Sequence, residues 1–359
     1  MIIRVRRLLL VEDSNPYLLN NAQIEIDDEG KIVGIGKVSK LRFDKKFNIV
    51  APQFMNNHVH ILDLDLRKYF KTMYIDDVVG APYGIKYLYI NTISIENLLR
   101  SIEYSLDVAY RTGTGELWIV LENGLRTIEL LEKISRKFPM IIRPFLEPSK
   151  FHLGPWEDYC EDIVNEVQMI VEKGYDVELI SPLNYNVNEL KEIEKIVHSR
   201  DKMIMTHVSE TLDTSEERDL DLAIDVLKAD VLVHCVHVRD LSKLQDRIIV
   251  VTPRSNLALV GKFNVEVFKN VKNVRVGTDN VGLNDPDMWS EVRVLLRSNV
   301  DPYHICRSVF MSVRYNDVAR FQVVYCDHLV EKDCVFLRRI LWMGRTLGRI
   351  DGKIVRMFY

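Results

Sequence analysis

The stretch Pro52-Gln-Phe-Met-Asn-Asn-His58-Val-His60 decides how the chain is interpreted. It continues an apolar, β-prone segment and ends in two histidines that are separated by one residue. Because side chains two residues apart on a strand point to the same face, we expect His58 and His60 to direct their imidazole rings together. Neutral imidazole is the commonest metal-ligating side chain, so the pair predicts half of a tetrahedral metal site. Two such histidines also fit a polar strand face, and the interpretation depends on the residues that follow.

From about residue 54 onward, apolar strand patterns alternate with amphipathic helix patterns. The strands are predicted at Phe54–His60, Glu116–Glu122, Met140–Leu146, Asp176–Ser181, Met203–His207, Val231–His234, Arg247–Thr252 and Val274–Gly277. The helices are predicted at Ile95–Arg111, Leu125–Lys137, Trp156–Lys173, Val187–Ser199, Thr214–Lys228, Leu241–Gln245 and Pro286–Leu296. Eight such units over roughly 250 residues match a (β/α)₈ barrel. A doubly wound open sheet is the alternative, but no strand is followed by the Gly-rich turn G-x-G-x-x-G.

Both ends of the chain show short strand patterns instead of this alternation. These strands are predicted at Ile2–Leu10, Gln23–Asp27, Lys31–Lys37, Cys334–Leu337 and Lys353–Tyr359. The predicted fold class is therefore α/β, a TIM-type (β/α)₈ barrel with a small β-sandwich domain built from both chain ends. The predicted boundaries are 1–50 plus 320–359 for the sandwich and 51–319 for the barrel.

Composition excludes several classes of function. The chain has 359 residues, of which 47% are hydrophobic and 28% charged, as is usual for a globular protein. A net charge of -4 and a pI near 6.2 give no reason to expect nucleic acid or an anionic membrane as partner. The five cysteines are scattered and contain no Cys-x-x-Cys pair, which is typical of reduced thiols. With neither a signal peptide nor a membrane span in the pattern, we predict a cytoplasmic protein.

Further polar residues follow the predicted barrel strands at their carboxyl ends, where barrel enzymes carry their catalytic residues. After the first histidine pair these residues are His207, Glu210, His234, Asn256 and Asp279. Each of them alone has an ordinary explanation as a turn or as a hydrogen-bonded structural residue. Their occurrence at successive strand ends predicts that they share one site.

With these motifs in this order, the chain resembles the amidohydrolase superfamily, in the branch of cytosine, guanine and adenosyl-type deaminases and triazine hydrolases. The resemblance covers nearly the whole chain, and the two β ends resemble the split sandwich of that branch. It implies one divalent metal ion per chain, with zinc favoured and iron as the alternative, bound by His58, His60, His207 and Asp279. It also implies that Glu210 shuttles protons and that His234 orients the attacking water and stabilises the developing oxyanion.

The chemistry of this donor set agrees with the resemblance. Three neutral imidazoles and one carboxylate leave a divalent ion with one net positive charge and room for a water molecule. Binding to such an ion lowers the pKa of the water from about 15.7 towards 7. Asp279 is also predicted to be catalytic, because it can accept a hydrogen bond from that water. Glu210 lies three residues beyond His207, where it can carry a proton without binding the metal. The alternative for Glu210 is a carboxylate at the N-terminus of the next helix.

The fourth predicted strand contains no lysine, which favours one metal ion over the two of the binuclear hydrolases; Glu122 and Glu147 are the carboxylates expected to contest this. Leu183 occupies the position at which many purine-type deaminases of the branch carry a histidine that contacts the substrate ring, so the substrate stays open. The residues with weaker patterns for substrate contact are His152, Glu122 and Asn256.

The predicted function is hydrolysis of a carbon–nitrogen bond other than a peptide bond. The specific hypothesis is deamination of a nucleobase, nucleoside or related heterocycle by hydroxide generated at the metal, with release of ammonia. One alternative is a hydrolase that opens a cyclic amide, imidazolone- or hydantoin-like, with the same site. The other is a catalytically silent homologue that only binds metal. The expected partner is a small heterocyclic substrate, and a homodimer is expected from the frequency of dimers among soluble enzymes.

Overall fold

The structure is a computed structural model that describes residues 1–13, 15–39, 47–80, 83–148, 160–216, 218–326 and 333–358. The chain divides into two compact units. The sheet unit contains Met1–Met55, Val108–Glu116 and Asp287–Tyr359, and the barrel unit contains Asn56–Asp107 and Leu117–Pro286. The domain boundaries inferred from the sequence stay a prediction. Among the described residues, none of the helices has the length and apolar composition needed to cross a lipid bilayer.

The strands of the described residues fall into two sheets. In chain order they are β1 (Ile2–Glu12), β2 (Asn15–Ile26), β3 (Ile32–Lys37), β4 (Ile49–Pro52), β5 (Phe54–His60), β6 (Thr114–Leu121), β7 (Ile141–Leu146), β8 (Asp176–Leu179), β9 (Ile204–Val208), β10 (Val231–His234), β11 (Ile248–Val251), β12 (Val274–Val276), β13 (Asp279–Asn280), β14 (Arg320–Tyr325), β15 (Arg345–Asp351) and β16 (Ile354–Met357). One sheet has the order β12-β11-β10-β9-β8-β7-β6-β5-β13, and the other has the order β16-β15-β14-β4-β1-β2-β3.

The nine-stranded sheet is a barrel whose last strand is broken in the middle. β12 pairs in parallel with β11, and β13, which follows after two residues, pairs in parallel with β5. The two segments together therefore form the eighth strand of the barrel, which pairs with β11 on one side and with β5 on the other. Gly277 lies in the break, where an added Cβ would come within 2.7 Å of the His58 carbonyl oxygen. The predicted TIM-type (β/α)₈ barrel is confirmed.

Most barrel strands are buried on both faces, which explains why they appear in the sequence as continuous apolar runs. Every residue of β8 and β10 is buried, including the charged and polar ones. A cluster of buried apolar side chains fills the interior, formed by Trp118, Val120, Phe145, Met205, Val231, Val233 and Val250.

The α-helices are α1 (Ile75–Val79), α2 (Ile85–Thr92), α3 (Ile95–Arg111), α4 (Gly124–Ser135), α5 (Cys160–Glu172), α6 (Val187–His198), α7 (Leu212–Glu216), α8 (Asp219–Asp221), α9 (Pro253–Leu259), α10 (Val267–Asn270), α11 (Met288–Arg297), α12 (Pro302–Val309) and α13 (Asp333–Met343). Short 3₁₀ turns lie at Leu64–Lys68, Pro182–Asn184 and Leu241–Leu244, and a π turn lies at Leu222–Val226.

Two predicted elements have a different structure from the one expected. The helix expected at Thr214–Lys228 is divided into α7, α8 and the π turn, and Arg218 between the first two has a φ of 63°. The strand expected at Cys334–Leu337 is wrong, because these residues lie in α13. Its buried residues Leu337, Ile340 and Leu341 recur at helical spacing, which outweighs the local β propensity.

Residues 64–92, between β5 and α3, form a segment for which no helix was predicted. It contains one 3₁₀ turn, α1 and α2, and we call it the β5–α3 segment. Leu66, Phe70 and Val78 are its buried anchors, and Leu259 and Leu283 pack against them. These contacts hold α2 beside the carboxyl end of β5.

The seven-stranded sheet is built from both chain ends, as predicted. β1 pairs in parallel with β4 and antiparallel with β2. β14 and β15, which were not predicted, connect β4 to β16 by antiparallel pairing. One face is covered by an apolar cluster that draws residues from both ends, including Val5, Leu8, Ile24, Phe321 and Ile350.

Candidate metal centre

Three imidazole rings converge where β5 and β9 end. The ring centroids lie 4.8 Å apart for His58 and His60, 4.9 Å apart for His58 and His207, and 5.6 Å apart for His60 and His207. All three Nε2 atoms are buried and make no hydrogen bond within the described part of the chain. Buried polar atoms are normally satisfied, so three unsatisfied nitrogens at one place are typical of a site that binds a ligand.

Asp279 completes this cluster from β13. Its Oδ1 lies 3.5 Å from His58 Nε2 and 3.7 Å from His60 Nε2. The Asn280 amide donates a hydrogen bond of 3.0 Å to Oδ1, and the Ser255 hydroxyl donates to Oδ2. The backbone φ of Asp279 is 63°, and such strain in a non-glycine residue is concentrated at functional sites.

The electrostatics of the cluster favour metal ligation. Burial lowers the pKa of His58 to about 3, although Asp279 opposes this shift. Burial and the neighbouring histidines also lower the pKa of His207 well below its ordinary value. Burial works against the charged form of Asp279, but its hydrogen bond with His58 and the nearby imidazoles hold its pKa well below the usual range. Neutral imidazoles and an ionised carboxylate are therefore present together near neutral pH.

The donor atoms fit a divalent transition-metal ion. Ligand atoms of His58, His60 and Asp279 lie within 4.8 Å of one another, and so do those of His58, His207 and His234. Imidazole nitrogen combined with a single carboxylate suits zinc or iron better than magnesium or calcium, which prefer oxygen ligands.

The His60 ring is fixed from its other nitrogen. Its Nδ1 lies 2.7 Å from Glu122 Oε1 and 3.1 Å from the ammonium nitrogen of Lys86. Because the carboxylate accepts the Nδ1 proton, the Nε2 lone pair is left for a metal. Glu122 is fully buried against His60, and its predicted contact with a substrate stays a prediction.

His234 is placed next to the three histidines, with ring centroids 4.7 Å from His207. Its Nδ1 lies 3.0 Å from the Thr252 hydroxyl and 2.9 Å from Asn256 Nδ2. When the amide donates to Nδ1, the ring proton resides on Nε2, which faces Glu210 at 3.5 Å. Asn256 is fully buried next to His234, and its predicted contact with a substrate stays a prediction.

Glu210 follows β9 and is partly exposed. A carboxylate oxygen of Glu210 lies within 4.8 Å of ligand atoms of both His234 and Asp279. The next helix, α7, does not need this carboxylate as a cap, because the Thr211 hydroxyl accepts a hydrogen bond of 3.3 Å from the Thr214 N–H. Glu210 faces the cluster through its contact with His234, and its role as a proton carrier stays a prediction.

A cavity of about 360 Å³ opens onto the cluster. The β5–α3 segment contributes Ile75, Val79 and Tyr87 to its wall. The residues after β8 contribute Leu183 and Asn184, so Leu183 does line the cavity. The proposed site residues that line it are His60, His207, Glu210, His234 and Asp279. His152 lies outside the described residues.

Two buried charged residues at the site were missed by sequence reasoning. Glu178 on β8 is buried, and its Oε1 lies 3.3 Å from His207 Nε2. Burial, Glu147 and Glu122 raise the pKa of Glu178 well above its ordinary value. Strand alternation from β8 could have indicated that Asp176 and Glu178 share a face. Lys86 gave no such signal, because its position depends on how the β5–α3 segment folds.

Glu147, at the end of β7, is also buried in this region. Its charge acts on both Lys86 and Glu178. The barrel interior therefore contains a second group of acids next to the histidine cluster.

Comparison with known proteins gives relatives of similar length. The chain is 26% identical over 305 residues to an uncharacterized protein of Methanocaldococcus jannaschii, covering 79% of this chain and 77% of that protein. It is 22% identical over 257 residues to a "Putative aminohydrolase" of Archaeoglobus fulgidus, covering 70% of this chain and 69% of that protein. No protein-family model matches the chain.

Solved structures share the fold over the whole chain. E. coli guanine deaminase has a TM-score of 0.75 at 14% identity, covering 100% of this chain and 99% of the other. A zinc-bound adenosine deaminase from Xanthomonas campestris has a TM-score of 0.75 at 14% identity, with coverage of 99% and 92%. Atrazine chlorohydrolase from Arthrobacter aurescens, complexed with zinc, has a TM-score of 0.76 at 14% identity, with coverage of 99% and 94%. These enzymes include deaminases and a triazine hydrolase, the two kinds of protein that the sequence resembles, and the fold that the resemblance implies is confirmed.

Proposed function

We propose that this protein is a metal-dependent amidohydrolase that removes an amino group from a small heterocycle and releases ammonia. The observation that carries the proposal is the convergence of three unsatisfied imidazole nitrogens and the Asp279 carboxylate at the end of a barrel. The acid Glu210 and the imidazole of His234 lie beside them. The names of the structural neighbours, which are deaminases and a chlorohydrolase of heterocycles, support the same reaction class.

The proposed cofactor is one divalent ion per chain, zinc in preference to iron, held by His58, His60, His207 and Asp279. When bound, such an ion supplies Lewis acidity that brings the pKa of a water molecule towards neutrality. The lowered pKa values of His58 and His207 support this assignment, because an imidazole must be deprotonated to bind a metal. The bound zinc named for two of the structural neighbours supports it as well.

The side chains of this chain would divide the remaining work. Glu210 takes a proton from the attacking water and delivers it to the amino nitrogen, so that a carbon–oxygen bond forms, the carbon–nitrogen bond breaks and ammonia leaves. His234 donates a hydrogen bond from its Nε2–H to the oxygen on the reacting carbon, and Asn256 holds the ring in the tautomer that has this proton. Asp279 accepts a hydrogen bond from the water.

The cavity supports a substrate of modest size. About 360 Å³ accommodates a one- or two-ring heterocycle more readily than a large ligand. Leu183 gives this part of the wall an apolar surface where a ring-contacting histidine was expected from the resemblance. We therefore propose nucleobases, nucleosides and related heterocycles as the substrate class.

The test is ammonia release from a panel of amino-substituted heterocycles by the metal-loaded protein. We expect at least one compound to be deaminated. We expect Glu210→Gln to lower kcat by about 10²- to 10⁴-fold while the metal content stays unchanged, because the change removes only the proton carrier. Glu216→Gln, in the exposed part of α7, is the matched control and should retain full activity.

Three results would contradict the proposal. Full activity of Glu210→Gln with normal metal content would exclude Glu210 as the proton carrier. Conversion of cyclic amides without ammonia release would instead favour the ring-opening hydrolase. A metal-loaded protein that converts no compound in either panel would favour the silent homologue.

A further inference from the structure

The barrel interior holds more carboxylates than the proposed metal site uses. Asp63, Glu122, Glu147 and Glu178 are all buried. Within the described part of the chain, Asp63 Oδ2, Glu122 Oε2 and both carboxylate oxygens of Glu178 make no hydrogen bond. An ionised carboxylate out of water is costly unless a cation lies beside it. A cation beside this group, in addition to the ion proposed at the histidines, would stabilise those of its carboxylates that are ionised.

Lys86 supplies such a charge from α2. Its side chain is 4% exposed, and its ammonium nitrogen lies 2.5 Å from Glu122 Oε1. It donates a hydrogen bond of 2.9 Å to the Asn280 side-chain oxygen, and it lies 3.1 Å from His60 Nδ1. The ion pair with Glu122 and the hydrogen bond to Asn280 both stabilise the charged form of this side chain.

The ammonium group of Lys86 lies on one particular side of the His60 ring. Nε2 of His60 faces Asp279, whereas Nδ1 of the same ring faces Glu122 and Lys86. Lys86 therefore contacts the side of the His60 ring that is turned away from the proposed metal. The ammonium lies among the carboxylates that a second divalent ion would need as ligands.

We propose that Lys86 takes the place of a second metal ion. Its ammonium neutralises Glu122, keeps the centre mononuclear and leaves Glu122 able to hold His60 in the tautomer that presents Nε2. Lys86 is thus a positioning residue that acts through Glu122 and His60. This inference rests on the proposed function, because it assumes that the histidines bind a metal ion.

The test counts the metal ions that each variant retains. Wild type, Lys86→Met and Lys71→Met are equilibrated with excess Zn²⁺, dialysed against a low concentration of free Zn²⁺ and measured by elemental analysis. Lys71 is an exposed lysine of the same β5–α3 segment, so its variant controls for the loss of one charge. We expect one zinc per chain in wild type and Lys71→Met, and two in Lys86→Met, where the buried acids become available.

The outcomes separate this inference from the proposed function. One zinc per chain in both wild type and a folded Lys86→Met would overturn the inference and leave the proposed function intact. No zinc in wild type would overturn the proposed function itself. Two zinc ions in wild type would also overturn the inference, since Lys86 would then not exclude the second ion.

Two further variants keep the test decisive if Lys86→Met does not fold. Glu122→Gln removes the carboxylate that pairs with Lys86 and accepts the Nδ1 proton of His60, so the ammonium is left unpaired beside His60. We therefore expect the zinc affinity, measured in competition with a chelator, to fall by about 10- to 100-fold. Lys86→Met combined with Glu122→Gln removes both charges, and we expect it to retain one zinc. Unchanged affinity in Glu122→Gln, or two zinc ions in the double variant, would overturn the inference.

Discussion

The imidazole of His60 shows how single residues build this site. One ring nitrogen is tied to Glu122 at 2.7 Å, and the other faces Asp279 at 3.7 Å. His58 is arranged in a similar way, with Nδ1 against Met205 Sδ at 3.3 Å and Nε2 towards Asp279. The ring orientations are therefore set by contacts outside the proposed metal position, so the free protein needs little rearrangement to bind an ion.

At the same scale, the sequence indicated the histidines and acids at strand ends because a barrel brings those ends together. His58, His60, His207, His234, Glu210 and Asp279 are indeed close to one another. Lys86 and the contact between Glu178 and His207 could not be predicted in this way. Both depend on side chains that enter the barrel from positions where sequence periodicity normally indicates apolar packing or a surface helix.

Asp63 gives a prediction of pH-dependent stability. Burial raises its pKa from 3.8 to about 6, with Lys86 opposing the shift. Between these values the native state binds a proton that the unfolded state has lost, so this contribution to stability is present below pH 3.8 and is lost as the pH rises through 6. Asp63→Asn keeps an oxygen that can accept the 2.9 Å hydrogen bond from the Gly282 N–H.

We therefore expect the free energy of unfolding of Asp63→Asn, relative to wild type, to rise by about 2 kcal/mol between pH 4 and pH 7. Denaturant unfolding at several pH values, with chelator present for both proteins, measures this difference. Asp246→Asn changes an exposed carboxylate of the same charge and serves as the control. A relative stability of Asp63→Asn that does not change with pH would contradict the assigned shift.

At the scale of elements, the break in the eighth strand positions the site. β12 ends at Val276 and β13 begins at Asp279, whose positive φ turns its carboxylate towards His58 and His60. The Thr278 N–H donates a hydrogen bond of 3.0 Å to the His58 carbonyl oxygen, which fixes the two strands against each other. The geometry of Asp279 is therefore coupled to the packing of Gly277 on β5.

Gly277→Ala tests this coupling. The added Cβ would lie 2.7 Å from the His58 carbonyl oxygen, 2.8 Å from its Cβ and 2.9 Å from its backbone nitrogen, so the strands must separate. We expect a loss of about 1–3 kcal/mol in the free energy of unfolding, together with weaker zinc binding. Gly36→Ala is the matched control, because no atom lies within 4 Å of the Cβ position at Gly36.

A Gly277→Ala protein with wild-type stability and zinc affinity would contradict the coupling. A comparable loss in Gly36→Ala would mean that alanine in place of glycine is unfavourable for reasons other than the close approach. Chemical denaturation and chelator competition on the same preparations provide both measurements.

The elements also show which parts of the fold sequence patterns can predict. The barrel strands were located because burial on both faces makes them continuous apolar runs, whereas β14 and β15 carry Arg320, Gln322, Arg345 and Arg349 and lack such a pattern. The local β propensity near Cys334 was misleading, because helical packing of Leu337, Ile340 and Leu341 decides the structure there. The β5–α3 segment was missed because its short helices are stabilised by tertiary contacts.

For the molecule as a whole, the fold is shared with enzymes that are only 14% identical in sequence. Such a fold supports many chemistries, so the function depends on the side chains at the barrel mouth. The cytoplasmic location and the homodimer inferred from the sequence stay predictions. Neither is needed for the proposed site, whose described residues all belong to the barrel unit.

Metal content per chain, measured by elemental analysis of protein purified without added metal, tests the central claim most directly. We predict one zinc or iron ion per chain. A chelator should remove this ion and abolish ammonia release, and adding one equivalent of the metal should restore both. Two ions per chain would contradict the mononuclear site and the role of Lys86. No bound metal, with no binding when metal is added, would contradict the proposal that these histidines form a metal-dependent hydrolase site.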